Sequence, residues 1–585
     1  MKRQQHEAAA SRRQKRALRV TGVTVLIVLA SAGALAACGG GGQGPSSALG
    51  GAAGVGDTGD GGGGEDVVPS NGGAGGTDSS PVATQDECKP TRKEDEPDDE
   101  FLDSNCDGID GDVKHAIFVS PDGFDSDDGS IKKPVQSIAQ AITLAGADGL
   151  AVYVCNGTYR ENVVIDAPVS IYGGYDCTRG WKRTKDIAIL QAGAGLPLLI
   201  KSVTGRVHLE RLAFRAPGAV GSGQSSQAAA VLGSSDVSFD QVELKAGNGT
   251  AGTPGTKGAD ASSSPPRASA EGASTTTTYC YTPDPGGSPG AYCASYASGG
   301  YSATTTQLCA GFQMRGGRGG AGGNIWLAKG QPGCFERGSD AGDEGSFGQY
   351  HTGDGSWKDV SSANSGLSGA DGDDGAAPTA GIGTIADGVY SATNKGADGL
   401  PGQSGWPGRG GAGGYSTGHS GDVCGSDYRV GSGGGQGGLG GCGGGRATGG
   451  NAGGGSVALV VVDSSVKISN ARISVGDGGL GGNGAQGGTG QPGAAGALGG
   501  AAQSSTFQGA QGQAGGNGGV GGDGAPGGGG PSIAILYTGA MPEVTDAVYE
   551  IGTPGDGGQA FSGSNGPTGA TGEVMSLDEI LGSKP

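Results

Sequence analysis

The stretch Val457-Ala458-Leu459-Val460-Val461-Val462-Asp463-Ser464-Ser465-Val466-Lys467-Ile468-Ser469-Asn470-Ala471-Arg472-Ile473-Ser474-Val475 decides the fold, because its apolar spacing recurs from Leu198, Ala228 and Ile533. With the first residue as position 0, position 11 holds Leu209, Phe239, Ile468 and Val544. Position 14 holds Leu212, Val242, Ala471 and Ala547, and position 16 holds Phe214, Leu244, Ile473 and Tyr549. Each repeat reads as three short strands with alternate residues turned inward, and units that cannot bury an apolar side alone must stack. The expected fold is all-β, a right-handed parallel β-helix solenoid whose repeats are interrupted by glycine-rich excursions. In the first strands even the outward positions are apolar, which is the composition of a sheet covered on both faces. Ala229, Val231, Ala458, Val460, Ala534 and Leu536 are the expected outward stripe.

Composition sets the limits. Glycine supplies 134 of 585 residues and aromatics 5%, against a usual glycine share near 7%, so the chain is not one ordinary packed globule. Seven Lys and Arg precede an apolar run from Val20 to Ala37 that ends Leu35-Ala36-Ala37-Cys38. That order reads as an export signal over 1–37, with a short uncleaved anchor as the other reading. The small residues before Cys38 resemble the lipobox of bacterial lipoproteins, which implies cleavage before Cys38, lipid on its sulfur and a membrane anchor there. Gly39 behind the cysteine goes with an outer-membrane address. Residues 38–86 are Gly, Ser, Ala and Asp and are expected to be a flexible tether.

The whole chain carries a formal charge of −20, and loss of residues 1–37 removes seven basic and one acidic side chain, leaving −26. A nucleic-acid partner is excluded on that balance. Ten cysteines remain beyond Cys38, an even number in an exported chain, and local disulfides are expected for Cys88 with Cys106, Cys155 with Cys177 and Cys424 with Cys442.

Within 87–114, Asp103-Ser104-Asn105-Cys106-Asp107-Gly108 places oxygen ligands at alternate positions before a glycine. A hard cation such as calcium is bound by such spacing, and Asp103, Asn105, Asp107, Asp110 and Asp112 are the candidate ligands. The closing glutamate of an EF-hand is missing, since Lys114 stands there, so the loop looks more like the short calcium loops of thrombospondin-type repeats. A solvated acidic linker is the competing reading.

From 115 to 247 the text runs through Phe118-Val119-Ser120-Pro121-Asp122-Gly123, then Pro134-Val135-Gln136-Ser137-Ile138-Ala139-Gln140-Ala141-Ile142, then Val152 to Val163 with Gly157-Thr158-Tyr159. Pro134 suits a first helical turn, and Val135, Ile138, Ala139 and Ile142 share one face, so a helix is expected to plug the open end of the repeats. The order strand, Ser-Pro-Asp-Gly, amphipathic helix, strand, Gly-Thr-Tyr resembles the opening of bacterial pectin-lyase-like β-helix proteins. This resemblance covers about 115–250 and the coils at 456–475 and 532–552, and it speaks to fold, not to activity.

The excursions at 248–455, 476–531 and 553–585 all leave from one position of the repeat. In the second, glycine falls on every third residue from Gly478 to Gly499 and from Gly509 to Gly530, the period of a polyproline-II helix. Two antiparallel polyproline-II-like arms joined by a tip at 501–507 are expected, with disorder as the alternative.

The candidate chemistry is thin. Glu210 and Asp240 occupy one outward ladder, with Arg211, Arg215 and Lys245 nearby, the groups a polysaccharide lyase or hydrolase would use. No Gly-x-Ser-x-Gly, His-Glu-x-x-His or P-loop lysine occurs, so those chemistries lack their groups. The expected function is a surface adhesin or matrix component that binds polysaccharide without turnover, and the competing one is a polysaccharide-cleaving enzyme.

Overall fold

A computed structural model describes residues 88–267, 431–501 and 508–580 without a break, and between them 270–274, 298–300, 306–309, 312–322, 325–327, 336–339, 343–351, 357–379 and 383–415. Cys38, the signal, the tether, Cys424 and the tip at 502–507 lie outside the described residues.

The protein is mostly parallel β-sheet with few helices. Each repeat gives one strand to each of three sheets. The first sheet takes Val163–Ile165, Leu198–Lys201, Ser226–Leu232, Ser456–Val462, Ser532–Thr538 and Thr571–Ser576 in that order. The second takes Ala116–Val119, Ala151–Cys155, Val169–Asp176, Arg206–Glu210, Asp236–Asp240, Val466–Ser469 and Glu543–Thr545. The third takes Thr158–Tyr159, Ala188–Gln191, Leu212–Arg215, Glu243–Ala246, Arg472–Val475 and Val548–Glu550. Leu209, Phe239, Ile468 and Val544 pair in register, as do Phe214, Leu244, Ile473 and Tyr549. The core between the sheets is these ladders, with Leu209, Phe239 and Leu244 all fully buried.

The first sheet departs from the sequence reading. There Leu198, Ala229, Leu459 and Ile535 pair, so the distance to the Leu209 ladder shrinks from 11 residues to 10, then 9 and 9. The turn between first and second strands shortens, and a shift of one residue exchanges the two faces of a strand. Ala229 and Val231 consequently belong to the internal core, where Ala458 and Ala534 also lie, while Val460 and Leu536 face out as expected, together with Ala230 and Ile533. The outward stripe is covered in part by Thr384–Ala386 and Val389–Ser391, a hairpin inside the largest excursion, and by the C-terminal helix Leu577–Ile580. Gln227 stands where later repeats carry Val457 and Ile533. Its side-chain amide donates to Gly388 O at 2.6 Å and accepts from Tyr390 N at 3.0 Å, which docks the hairpin.

The helix Ile138–Asp148 starts later than expected. Ser137 is its N-cap and Gly149, at φ 67°, its C-cap, while Glu161 accepts from the N–H groups of Ile138 and Ala139 at 2.8 and 3.1 Å. An N-cap hydroxyl and a carboxylate satisfy the first free N–H groups and complement the helix dipole. Pro134 thus precedes the helix, and Ala139 is exposed. The buried face is Ile138, Ala141, Ile142 and Ala145, joined to the core together with Val135.

Apart from short strand pairs in the largest, the described parts of the glycine excursions are arms without regular secondary structure that bond to one another every third residue. Gly512, Gly515 and Gly518 donate to Ala497, Ala494 and Gln491 O, so the two arms of the second excursion run antiparallel. Gly435, Gly438, Gly441 and Gly444 donate to Ala510, Gln513, Gly516 and Gly519 O, and accept from Gly411, Gly408, Gly405 and Gly402 N. A helix of three residues per turn has no internal hydrogen bonds, so its N–H groups must find partners on neighbouring arms. Glycine is required where two such arms meet. A Cβ on Gly440 would lie 1.9 Å from Gly405 O, and one on Gly441 1.9 Å from Gln491 O. The Gly-Gly-x triplets of 431–455 therefore mark an arm contacted on two sides. Asp and Asn in the arms accept remaining N–H groups, as Asp260 Oδ1 does from Thr489, Asn483 Oδ1 from Gln559 and Asp523 Oδ1 from Gly487.

Disulfides Cys88–Cys106 and Cys155–Cys177 form as expected. Cys442 instead bonds Cys309, 133 residues away in sequence, because the packing of arms brings together the paired strands Gln307–Cys309 and Phe312–Arg315 and arm 431–455; the pairing with Cys424 is overturned.

Candidate functional site

The outer face of the second sheet is the chemically richest surface among the described residues. Ile117, Val119, Val152, Val154 and Ile171 point into the core, so the alternate residues Phe118, Tyr153 and Tyr172 point out. Together with Tyr175 and Trp181 they are buried, because the acidic segment that precedes the first strand folds over them. Tyr175 donates to Asp110 O at 2.7 Å, Asp112 N donates to Tyr153 Oη at 3.0 Å and Tyr172 donates to Glu96 Oε1 at 2.8 Å. Glu96 also pairs with Arg206 at 2.9 Å. Burial raises the pKa of all three tyrosines, so each serves as a neutral hydrogen-bonding group.

Arg183 lies at the centre, its side chain fully buried. Nη1 meets Asp110 Oδ2 at 3.2 Å, Nη2 meets Glu210 Oε1 at 2.5 Å, and the guanidinium stands 5.5 and 5.7 Å from the ring centres of Tyr172 and Tyr175. Desolvation outweighs Arg183 at Asp110 and pushes its carboxyl up to about 6. The other oxygen of Glu210 lies 3.2 Å from His208 Nε2. Arg211 binds Asp99 at 2.9 Å and holds Nε 3.6 Å from Glu210, where it makes no hydrogen bond.

The candidate catalytic groups do not assemble into an acid and base. Asp240 is the register partner of Glu210, but its Oδ1 accepts from Ser469 Oγ at 2.7 Å and Asn470 Nδ2 at 3.0 Å. Arg215 forms a bidentate pair with Glu243 at 2.9 and 2.8 Å, and Lys245 is exposed on the third sheet. Glu210 is thus a structural anion. Sequence reasoning missed Glu96, Asp99 and Arg183. Their only signal was the outward aromatic series Phe118, Tyr153, Tyr172, which called for a cover.

The acidic loop also divides. Asp103 Oδ1 and Oδ2 accept from Asp107 N and Gly108 N at 3.0 and 2.9 Å, Asn105 Oδ1 accepts from Asp107 N at 3.0 Å, and Asp107 Oδ2 accepts from Val113 N at 2.8 Å. These three residues form one turn. Asp110 is turned to Arg183, and Asp112 to His115 at 2.8 Å. Among the described residues no group of three or more His, Cys, Asp or Glu side chains is placed to hold a metal ion.

Two clefts flank this segment. One of about 550 Å³ is lined by Glu94, Asp95, Glu96, Asp112, His115 and Arg206 among others. The other, of about 530 Å³, lies beside Asp99 and Arg211. Compared with protein families, curated proteins and solved structures, the chain matches none.

Proposed function

We propose that the protein is a lipid-anchored component of the bacterial cell surface, a right-handed parallel β-helix of the pectin-lyase-like kind that binds glycan or matrix components without cleaving them. The observation that carries this reading is the state of Glu210, buried and paired with Arg183 beneath the acidic segment. A general acid or base needs access to substrate and a proton to exchange, and a carboxylate held by a guanidinium has neither. The bonded glycine arms favour the same reading, since they give the protein a large, rigid, acidic surface remote from any ladder of catalytic groups.

Incubation of the exported protein with a panel of neutral and uronate-containing glycans tests it. Binding without product is expected, unchanged in Asp240→Asn. Product that disappears in Glu210→Gln or Asp240→Asn would establish the enzyme instead. The anchor is tested by Cys38→Ser, which should release the protein from the membrane fraction or leave it unprocessed. Calcium enters the proposal through Asp103, Asn105 and Asp107, whose turn leaves carboxylate and amide oxygens on one loop. Added calcium should raise the melting temperature, and less so in Asp103→Asn; an unshifted melt removes the ion from the proposal.

A further inference from the structure

The cleft of about 550 Å³ lies where the acidic segment meets the second sheet and the end of the helix Ile138–Asp148. The charges on its wall sort into pairs and a remainder. Arg206 is paired with Glu96, which also accepts from Tyr172, and His115 is paired with Asp112. Both lining cations are thereby consumed, and the carboxylates of Glu94 and Asp95 are left. Glu94 is exposed and makes no ion pair among the described residues. Lys93 and Lys114, each next in sequence to a lining residue, are exposed and do not line the cleft.

Asp95 is not an ordinary surface acid, being only 5% exposed. Its Oδ2 accepts from Ser104 N at 3.0 Å and from Gly111 N at 3.1 Å, whereas its Oδ1 is buried with no hydrogen-bond partner. A buried carboxylate oxygen without a donor is costly and calls for one. Burial accordingly raises the Asp95 carboxyl above its ordinary range. Gly149, the C-cap of the helix, lines the same cleft, and the last helical turn carries no basic residue. The partial negative charge of the helix end is therefore added to that of the two carboxylates.

Much of the remaining wall is apolar, with Pro97, Leu150, Pro168 and Val169 beside the rings of Tyr153 and Tyr172. A metal ion such as calcium takes about six to eight oxygen ligands, more than two free carboxylates supply. A cationic head on an alkyl stem suits both parts of the wall, because such chains lay the stem along apolar surface and keep the head on the polar side. Aromatic rings attract the same head.

We infer that this cleft binds an alkylammonium group, with its stem against Leu150, Pro168 and Val169 and its ammonium between Glu94 and Asp95. The ammonium supplies the donor that Asp95 Oδ1 lacks. A free polyamine and a lysine side chain of a polypeptide both carry this group. The site is separate from the glycan reading above and stands without it.

Calorimetric titration of the exported protein tests the site with four probes: cadaverine, the peptide acetyl-Gly-Lys-Gly-amide, its uncharged norleucine counterpart, and calcium chloride. At least one ammonium probe is expected to bind at least tenfold more tightly than the norleucine peptide, and which one does so identifies the source. In Asp95→Asn the amide oxygen can keep both backbone N–H groups while the amide nitrogen replaces Oδ1, so the fold should persist and ammonium binding should fall at least tenfold. Glu94→Gln, at an exposed position, should weaken binding at least threefold without moving the melting temperature, and it decides in the same sense should Asp95→Asn not fold. Ammonium binding undiminished in a folded Asp95→Asn, or no binding of either ammonium probe by the parent, would overturn the site. Calcium binding that Asp95→Asn removes, with no heat from either ammonium probe, would make it a metal site instead.

Discussion

Arg183 illustrates how one side chain ties the acidic segment to the sheet. Its two anions, Asp110 and Glu210, come from elements 100 residues apart in sequence and are themselves buried. Removing one member of such a cluster leaves uncompensated charge, which costs about 3–5 kcal/mol. Arg183→Met should therefore lower the stability by that amount in urea unfolding, and proteolysis should cut residues 88–114 first. The Asp110 carboxyl adds a pH dependence. Its pKa in the folded protein, about 6, lies above the ordinary 3.8, so the folded state binds the proton more tightly. The contribution is complete below about 3.8 and is lost as pH rises through about 6, a decline of at most ~3 kcal/mol by linkage. Asp110→Asn should flatten that part of the stability profile; an unchanged slope between pH 4 and 6 would assign it to other groups. At this scale the sequence was informative only locally. Asn470 and Asp546 suit a left-handed corner, but Arg211 and Gln241 occupy the same position, and the side chains of both bind Asp99, more than a hundred residues earlier.

At the scale of elements, steric room decides what each glycine does. Gly441 has carbonyl oxygen on its open side, so Gly441→Ala must push arm 431–455 away from Gln491. Overpacking of this kind costs about 1–3 kcal/mol, and more where neighbouring bonds break with it. In the helix Ile138–Asp148, an added Cβ on Gly146 meets nothing within 4 Å, and Gly146→Ala should stabilise by about 0.5–1 kcal/mol. Thermal melts of the two variants should shift in opposite directions, and equal shifts would contradict close packing of the arms. The three-residue phase of glycine made the arms and their antiparallel course legible. What it left open was which arms touch, since spacing alone does not distinguish a neighbour in sequence from one in space. The same reason explains Cys442, whose partner is Cys309. In the sheets, the second and third ladders were legible because their turns have constant length, as with Leu209, Phe239 and Ile468. The first sheet was not, because its turn loses residues from repeat to repeat and reverses the outward face of Ala229 and Val231.

For the molecule as a whole, the sheets and the arms are joined by a row of serines where the arms depart. Ser226, Ser456 and Ser532 pair in register at the start of the first sheet. Ser226 Oγ accepts from Gly247 N at 2.8 Å, Ser456 Oγ accepts from Gly476 N at 2.9 Å, and Ser532 Oγ donates to Gly476 O at 2.9 Å. The first two excursions are thereby fixed at their roots and then bonded along their described lengths to arms from other excursions. Deleting residues 478–530 and rejoining the strands with a short linker tests this arrangement. The hairpin at 384–391 and the helix Leu577–Ile580 still cover much of the outward stripe of the first sheet, so the strands themselves should persist. The arm 431–455 fares differently, because Gly435, Gly438, Gly441 and Gly444 lose their acceptors and Gln436, Leu439 and Cys442 lose their donors. Each buried backbone group left without a partner costs about 1–3 kcal/mol unless water reaches it. The arm should consequently open to solvent. Limited proteolysis of the deletion variant should cut within 248–455 at least tenfold faster than in the parent, while the sheet fragment from 115 to 247 resists. Equal resistance of 248–455 in both proteins would show that the excursions stand independently and that the bonds between them contribute nothing to their order.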